Sequence, residues 1–127
     1  MTRETTSMND VAPEGVTLHA LKKLEVIVHG EDLPTVQDLM ADANVTGYTL
    51  VRDVAGLGQH GFHEGRLLFN EQASLVMIIA VAPPAAIRTV IAGLRELFER
   101  HSGVMFVSDT QVVRLDHFLP DQEAAGS

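Results

Sequence analysis

The stretch GLGQHGFHEGRLLFNEQASLVMIIAV, residues 56–81, decides the fold. Its first six residues satisfy the literal pattern G-x-G-x-x-G, at Gly56, Gly58 and Gly61. A dinucleotide fingerprint needs those glycines between a strand and the start of a helix, so that pyrophosphate meets the helix N-terminus. Here RLLFNEQ follows instead, and then ASLVMIIAV (73–81), a continuous apolar run with the length of a central strand. No Gly-Lys-Ser/Thr closes the loop, so it is not a P-loop either. YTLVRDV (48–54), just before the glycines, is itself strand-like. The glycine segment therefore joins two strands that should pair with each other.

Working outward, LKKLEVIVH (21–29) carries Leu24, Val26 and Val28 on one face in period 2, with β-branched Ile27 between them, and reads as a strand with one buried face. Asp32 is positioned to cap a helix entered through Pro34. Val36, Leu39, Met40 and Ala43 then recur at helical spacing, with Thr46-Gly47 as the stop. Pro83-Pro84 opens a second helix whose Ile87, Val90, Ile91, Leu94, Leu97 and Phe98 form one apolar stripe, ended by His101-Ser102-Gly103. VMFV (104–107) and TQVVRL (110–115) supply a last strand, with a bend expected at Ser108-Asp109.

The order β-α-β-β-α-β predicts an α+β, ferredoxin-like sandwich: a four-stranded antiparallel sheet with two helices on one face. No helix remains to cover the other face. An apolar sheet face left bare is a large exposed patch, and closed symmetry is its usual cover, so an oligomer is expected.

At 127 residues the chain fits one domain, and 46% hydrophobic against 20% charged residues is a globular composition. Residues 1–15 and 119–127 are polar and aperiodic and read as flexible tails around a domain at 16–118. Seventeen acidic residues against nine Lys and Arg give a net charge of −8, the wrong sign for gripping nucleic acid. The absence of cysteine excludes disulfides and thiolate metal sites. No stretch has the form of a signal peptide or of a membrane span, which makes the cytoplasm the expected location and a membrane-embedded protein unexpected.

The connection 56–72 is far longer than a hairpin needs, and such loops inside compact domains are functional or disordered. Successive N–H groups of a glycine-rich segment can converge as an anion-binding nest, anchored here by Gly56, Gly58 and Gly61; equally, the glycines simply make the loop flexible. His60 and His63 stand as H-x-x-H with Glu64 beside them. In a non-helical loop that spacing sets no coordination geometry, and His29 and His101 cannot be placed nearby from sequence. No metal is expected, and His60 serves as well as a donor to an anion. Arg52, Arg66 and Arg114 are the cations able to meet phosphate or carboxylate bidentately, although Arg52 and Arg66 read as readily as a solvated strand edge. With no cysteine, no serine elbow and no defined carboxylate pair, no catalytic residues are expected and an enzyme is the weaker class.

From about Lys22 to Phe118 the chain resembles the PII signal-transduction proteins, and within them the short PII-like proteins associated with carboxysomes and bicarbonate transport. TGYTLVRDVAGLGQHG (46–61) is similar to the family's second strand and T-loop base. SGVMFVSDTQVVRLDHF (102–118) is similar to its B-loop, last strand and C-terminal segment. The resemblance implies a homotrimer with adenine nucleotides in the clefts between subunits and a T-loop, 56–72, that changes with ligand and engages partners. It implies that Thr49 lies near the adenine, that Gly56, Gly58 and Gln59 form the phosphate-side loop base, that Gly103 lies in the B-loop, and that Arg114 reaches a phosphate.

Departures from the family pattern sharpen these expectations. The T-loop tyrosine used for uridylylation is missing from 56–72, the phosphate-gripping B-loop lysine has no counterpart in SGVMFV, and Asp116 stands where a second C-terminal arginine is expected. Fewer cations penalise a triphosphate most, so ADP or AMP is expected to bind better than ATP. The short-loop relatives respond to bicarbonate; the N–H groups of Gln59, His60 and Gly61, with Arg66, are the expected anion site. The implied function is a sensor without a reaction of its own, with a bicarbonate transporter or carboxysome-related protein as the partner class. Two other readings stay open: a metal-responsive trimer resembling divalent-cation tolerance proteins, carried by His60, His63 and Glu64, and a small ATPase using the cleft.

Overall fold

The structure is a computed structural model and describes residues 11–56 and 74–119, residue 117 by its backbone alone. Six main elements follow in order: strand β1 (His19–His29), helix α1 (Leu33–Asp42), strands β2 (Tyr48–Val54) and β3 (Leu75–Ala82), helix α2 (Pro84–Leu97) and strand β4 (Gly103–Val112). The sheet order is β2-β3-β1-β4, antiparallel throughout. This is the ferredoxin-like arrangement expected from the pattern. Ahead of β1, Val16 N–H donates to the Pro13 carbonyl at 3.0 Å, so a turn stands where the sequence suggests the end of a tail.

Side chains alternate across a pleated sheet, and the apolar pattern decides which side is core. Leu24, Val26 and Val28 of β1 and Val76, Ile78, Ala80 and Ala82 of β3 are buried. Cross-strand register puts them in one layer, with Val26 opposite Ile78 and Leu24 opposite Ala80. Leu33, Val36 and Met40 of α1 and Ile87, Val90 and Leu94 of α2 close over them. Each such aliphatic side chain contributes about 1.5–3 kcal/mol on burial, so this layer supplies most of the folding drive.

The opposite face carries Ile27, Met77, Ile79, Val81, Val104 and Phe106 by the same alternation, and no element of the described chain lies over it. Phe106 is 54% exposed and Val104 47%. An apolar face that no described element covers, as anticipated from the element order, is therefore present.

Four local expectations need correction. Asp32 does not cap α1 and makes no side-chain cap hydrogen bond. Its φ of −92° and ψ of −3° continue a short 3-10 turn, Gly30–Asp32, whereas a capping residue needs extended backbone to aim its oxygen at the first free N–H groups. The helix ends at Asp42, before Thr46-Gly47, and Asn44 follows in the left-handed region at φ 62°, which its short amide side chain tolerates. β4 runs without a bend at Ser108-Asp109, in unbroken register from Gly103 opposite Val28 to Val112 opposite His19. Lys22 faces Asp109 directly across the ladder and pairs with it. Leu115 belongs to a 3-10 turn, Leu115–Phe118, beyond the strand. The sheet's irregularity falls instead on edge strand β2, where Asp53 sits at φ 59° between the paired residues Arg52 and Val54. Such a bulge re-aims the chain as it leaves the sheet.

Candidate functional site

Of the residues singled out from sequence, Thr49, Gly56, Gly103 and Arg114 are described. Gly58, Gln59, His60, Gly61, His63, Glu64 and Arg66 lie outside the described residues, and with them the whole expected anion site. Thr49 is exposed on β2, in the row Thr49, Ile79, Glu25, Phe106 across the sheet. Its alternation places it on the uncovered face. Gly56 lies two residues beyond the end of β2, past the Asp53 bulge. Arg52, on the same edge strand, is exposed.

Gly103 opens β4 at the same end of the sheet as Gly56, but on the opposite edge. Three strand spacings separate the two edges, about 14 Å at ~4.8 Å each. Arg114, exposed, follows the other end of β4. A ten-residue strand stands between it and Gly103, roughly 30 Å at ~3.3 Å per residue. One copy of the chain therefore does not bring these four residues around one small ligand. Arg114 can meet Gly56 or Gly103 only if it comes from a neighbouring copy.

The glycines differ in what they owe to the chain itself. A Cβ on Gly103 would lie 2.3 Å from Cε1 of Phe98, so this glycine lets β4 start directly against the ring that ends α2. Among the described residues a Cβ on Gly56 would meet nothing within 4 Å. Packing among the described residues explains Gly103 and does not call for a glycine at position 56.

The structure adds a contact that no local pattern announces. Asp32, buried in the turn before α1, accepts from His101 Nδ1 at 3.0 Å through Oδ1 and 3.2 Å through Oδ2. An ionised carboxylate only accepts, so Nδ1 carries the proton. The two residues are 69 positions apart, and His101 lies in the α2–β4 turn just ahead of Gly103. The nearest sequence signal was the presence of both residues at helix boundaries, where each reads as a terminator or cap.

Among the described residues no three His, Cys, Asp or Glu side chains cluster so as to hold a metal ion. Among the same residues no helix is long and apolar enough to cross a membrane.

The sheet order, the antiparallel register and the two helices on one face define the class, a ferredoxin-like α+β protein. Within it the chain belongs to the PII family, matching Nitrogen regulatory protein P-II over residues 21–117. The resemblance of 46–61 and 102–118 is thereby borne out. Among solved structures, the chain is similar to CPII, a nitrogen regulatory PII-like protein from Thiomonas intermedia K12 bound to ADP, AMP and bicarbonate. The two are 42% identical, with 83% of this chain and 99% of that one covered and a TM-score of 0.73. CPII bound to ADP and bicarbonate matches at 41% identity, 82% and 99% coverage and a TM-score of 0.71. A PII-like signalling protein from Thermus thermophilus, 17% identical with 80% and 97% coverage and a TM-score of 0.63, shares the fold. No curated protein matches the sequence.

Proposed function

We propose that this chain is a PII-like sensor, without a reaction of its own, that binds ADP or AMP in preference to ATP, together with bicarbonate. The carrying observation is its 42% identity, over 83% of this chain, to a CPII structure holding ADP, AMP and bicarbonate. It assembles as a homotrimer with the ligand in clefts between subunits. Two features of the chain support this: the uncovered apolar sheet face needs a partner, and the split of Gly56 and Gly103 from Arg114 needs a second copy. Gly56, with open space where a side chain would be, suits close approach by a phosphate.

In this reading Thr49 lies near the adenine, Gly56, Gly58 and Gln59 form the phosphate-side loop base, and Gly103 and Arg114 complete the cleft. Gln59, His60, Gly61 and Arg66 hold bicarbonate. Ligand shifts the population of T-loop conformations by no more than its differential affinity for them, and a cytoplasmic partner in inorganic-carbon uptake or carboxysome function reads the shift. Calorimetric titration with AMP, ADP and ATP, each with and without bicarbonate, tests the proposal. ADP or AMP binding that tightens with bicarbonate is expected. Isotherms unmoved by saturating bicarbonate would remove the two-ligand sensor, and absence of any nucleotide binding would remove the function while leaving the fold.

A further inference from the structure

Asp32 is the charged side chain buried among the described residues, at 5% exposure. Burying a carboxylate is costly unless it is paired and hydrogen-bonded. Asp32 does not repay that cost by capping α1. Its partner is His101, held at 3.0 and 3.2 Å on both oxygens.

The two ends of this contact sit at informative places. His101 lies on the α2–β4 turn, where its N–H donates to the Leu97 carbonyl at 3.0 Å, and two residues on Gly103 packs under Phe98 and pairs with Val28. Asp32 lies on the β1–α1 turn, where Gly30 N–H donates to the Ser74 carbonyl at 2.9 Å. One short 3-10 turn is thus tied on one side to the start of β3 and on the other to the turn that presents Gly103.

We propose that Asp32 is a positioning residue: through His101 it fixes the conformation of the α2–β4 turn, and so the backbone that Gly103 offers to a nucleoside diphosphate. The ligand role rests on the function proposed above; the fixing of the turn does not. A hydrogen bond to a buried carboxylate is weak evidence for stability but selects one arrangement over its neighbours, which suits a loop that has to be placed rather than merely closed. The carboxylate accepts both contacts from one ring nitrogen, so loss of either partner frees the turn at a single point.

The test compares Asp32→Ala, His101→Ala and the conservative Asp32→Asn with the wild type. Val36→Ala, in the core beneath α1, serves as a control for general destabilisation. Amide hydrogen exchange and ADP titration are read on each. The expected result for both alanine variants is exchange accelerated more than tenfold at residues 100–103, with Val26 and Ile78 in the central ladder unchanged, and ADP affinity weakened about tenfold. Asp32→Asn, which keeps an accepting oxygen, falls between them and the wild type. Val36→Ala accelerates exchange broadly and leaves ADP affinity within twofold. The proposal is overturned if exchange at 100–103 stays at the wild-type rate, or if it rises while ADP affinity stays within twofold. If the wild-type protein binds no ADP, the function reading fails by itself. The exchange rates then decide the latch, local acceleration supporting it and unchanged rates refuting it.

Discussion

Gly103 and Gly56 are the same residue type with opposite physical reasons. The ring of Phe98 occupies the space a Cβ on Gly103 would need, so Gly103→Ala overpacks the junction of α2 and β4. The expected cost is about 1–3 kcal/mol, read as a lower midpoint in thermal or denaturant unfolding. Gly56→Ala meets no atom among the described residues. Its unfolding midpoint should stay at the wild-type value while ADP affinity falls; an affinity equal to wild type would show that no phosphate approaches that backbone. Arg114 is exposed after β4. Its replacement by Ala should leave stability unchanged and remove charge-assisted hydrogen bonds of about 1.5–3 kcal/mol, about 10- to 100-fold in calorimetric ADP affinity. The ligand roles proposed for Gly103 and Arg114 come from the resemblance of 102–118; the place of Gly103 at the end of α2 was legible in the sequence. The contact between Gly103 and Phe98 was not, because periodicity places Phe98 on the apolar stripe of α2 without saying what the stripe touches.

At the scale of elements, the two helices meet at a close approach. Gly93 is where α2 comes against Leu39 of α1: a Cβ there would lie 2.4 Å from Cδ2 and 3.2 Å from Cγ of Leu39. Alanine favours a helix over glycine by up to about 1 kcal/mol, but overpacking costs about 1–3 kcal/mol, and with Cγ as well as the methyls in the way the second effect wins. Gly93→Ala should destabilise by about 1 kcal/mol in denaturant unfolding. Combining it with Leu39→Ala, which empties the contested space, should cost less than the sum of the two single changes. The exposed pair of Lys22 and Asp109 across β1 and β4 adds little by comparison, since solvent screens it. Strand and helix existence followed from apolar spacing. The Asp53 bulge and the 3-10 turns did not, because both are set by where the chain has to go next rather than by the residues they contain.

For the whole molecule the decisive feature is the apolar sheet face opposite the helices. Phe106 sits on it with 54% of its surface exposed, so Phe106→Lys should fold in the single chain yet place a charge where the proposed trimer packs a second copy. Light scattering should give the mass of three 13.8 kDa chains for the wild type and a smaller particle for the variant. A wild-type mass of one chain would contradict both the covering of this face and a ligand cleft shared between copies. The same variant should lose ADP binding with assembly, because Arg114 is then separated from Gly56 and Gly103.

The sequence by itself determined the order of elements, the face of the sheet that the helices cover, and the joining of two pairing strands by the glycine segment. Each of these follows from side-chain periodicity and turn chemistry, which act over a few neighbouring residues. Only the tertiary structure decided that Asp32 serves His101 rather than the end of α1, that Phe98 requires glycine at position 103, and that Arg114 stands at the far end of the sheet from Gly103. The first depends on strand order, which brings together residues 69 positions apart; the other two depend on the path of the α2–β4 turn and the unbroken run of β4, which apolar spacing by itself does not fix.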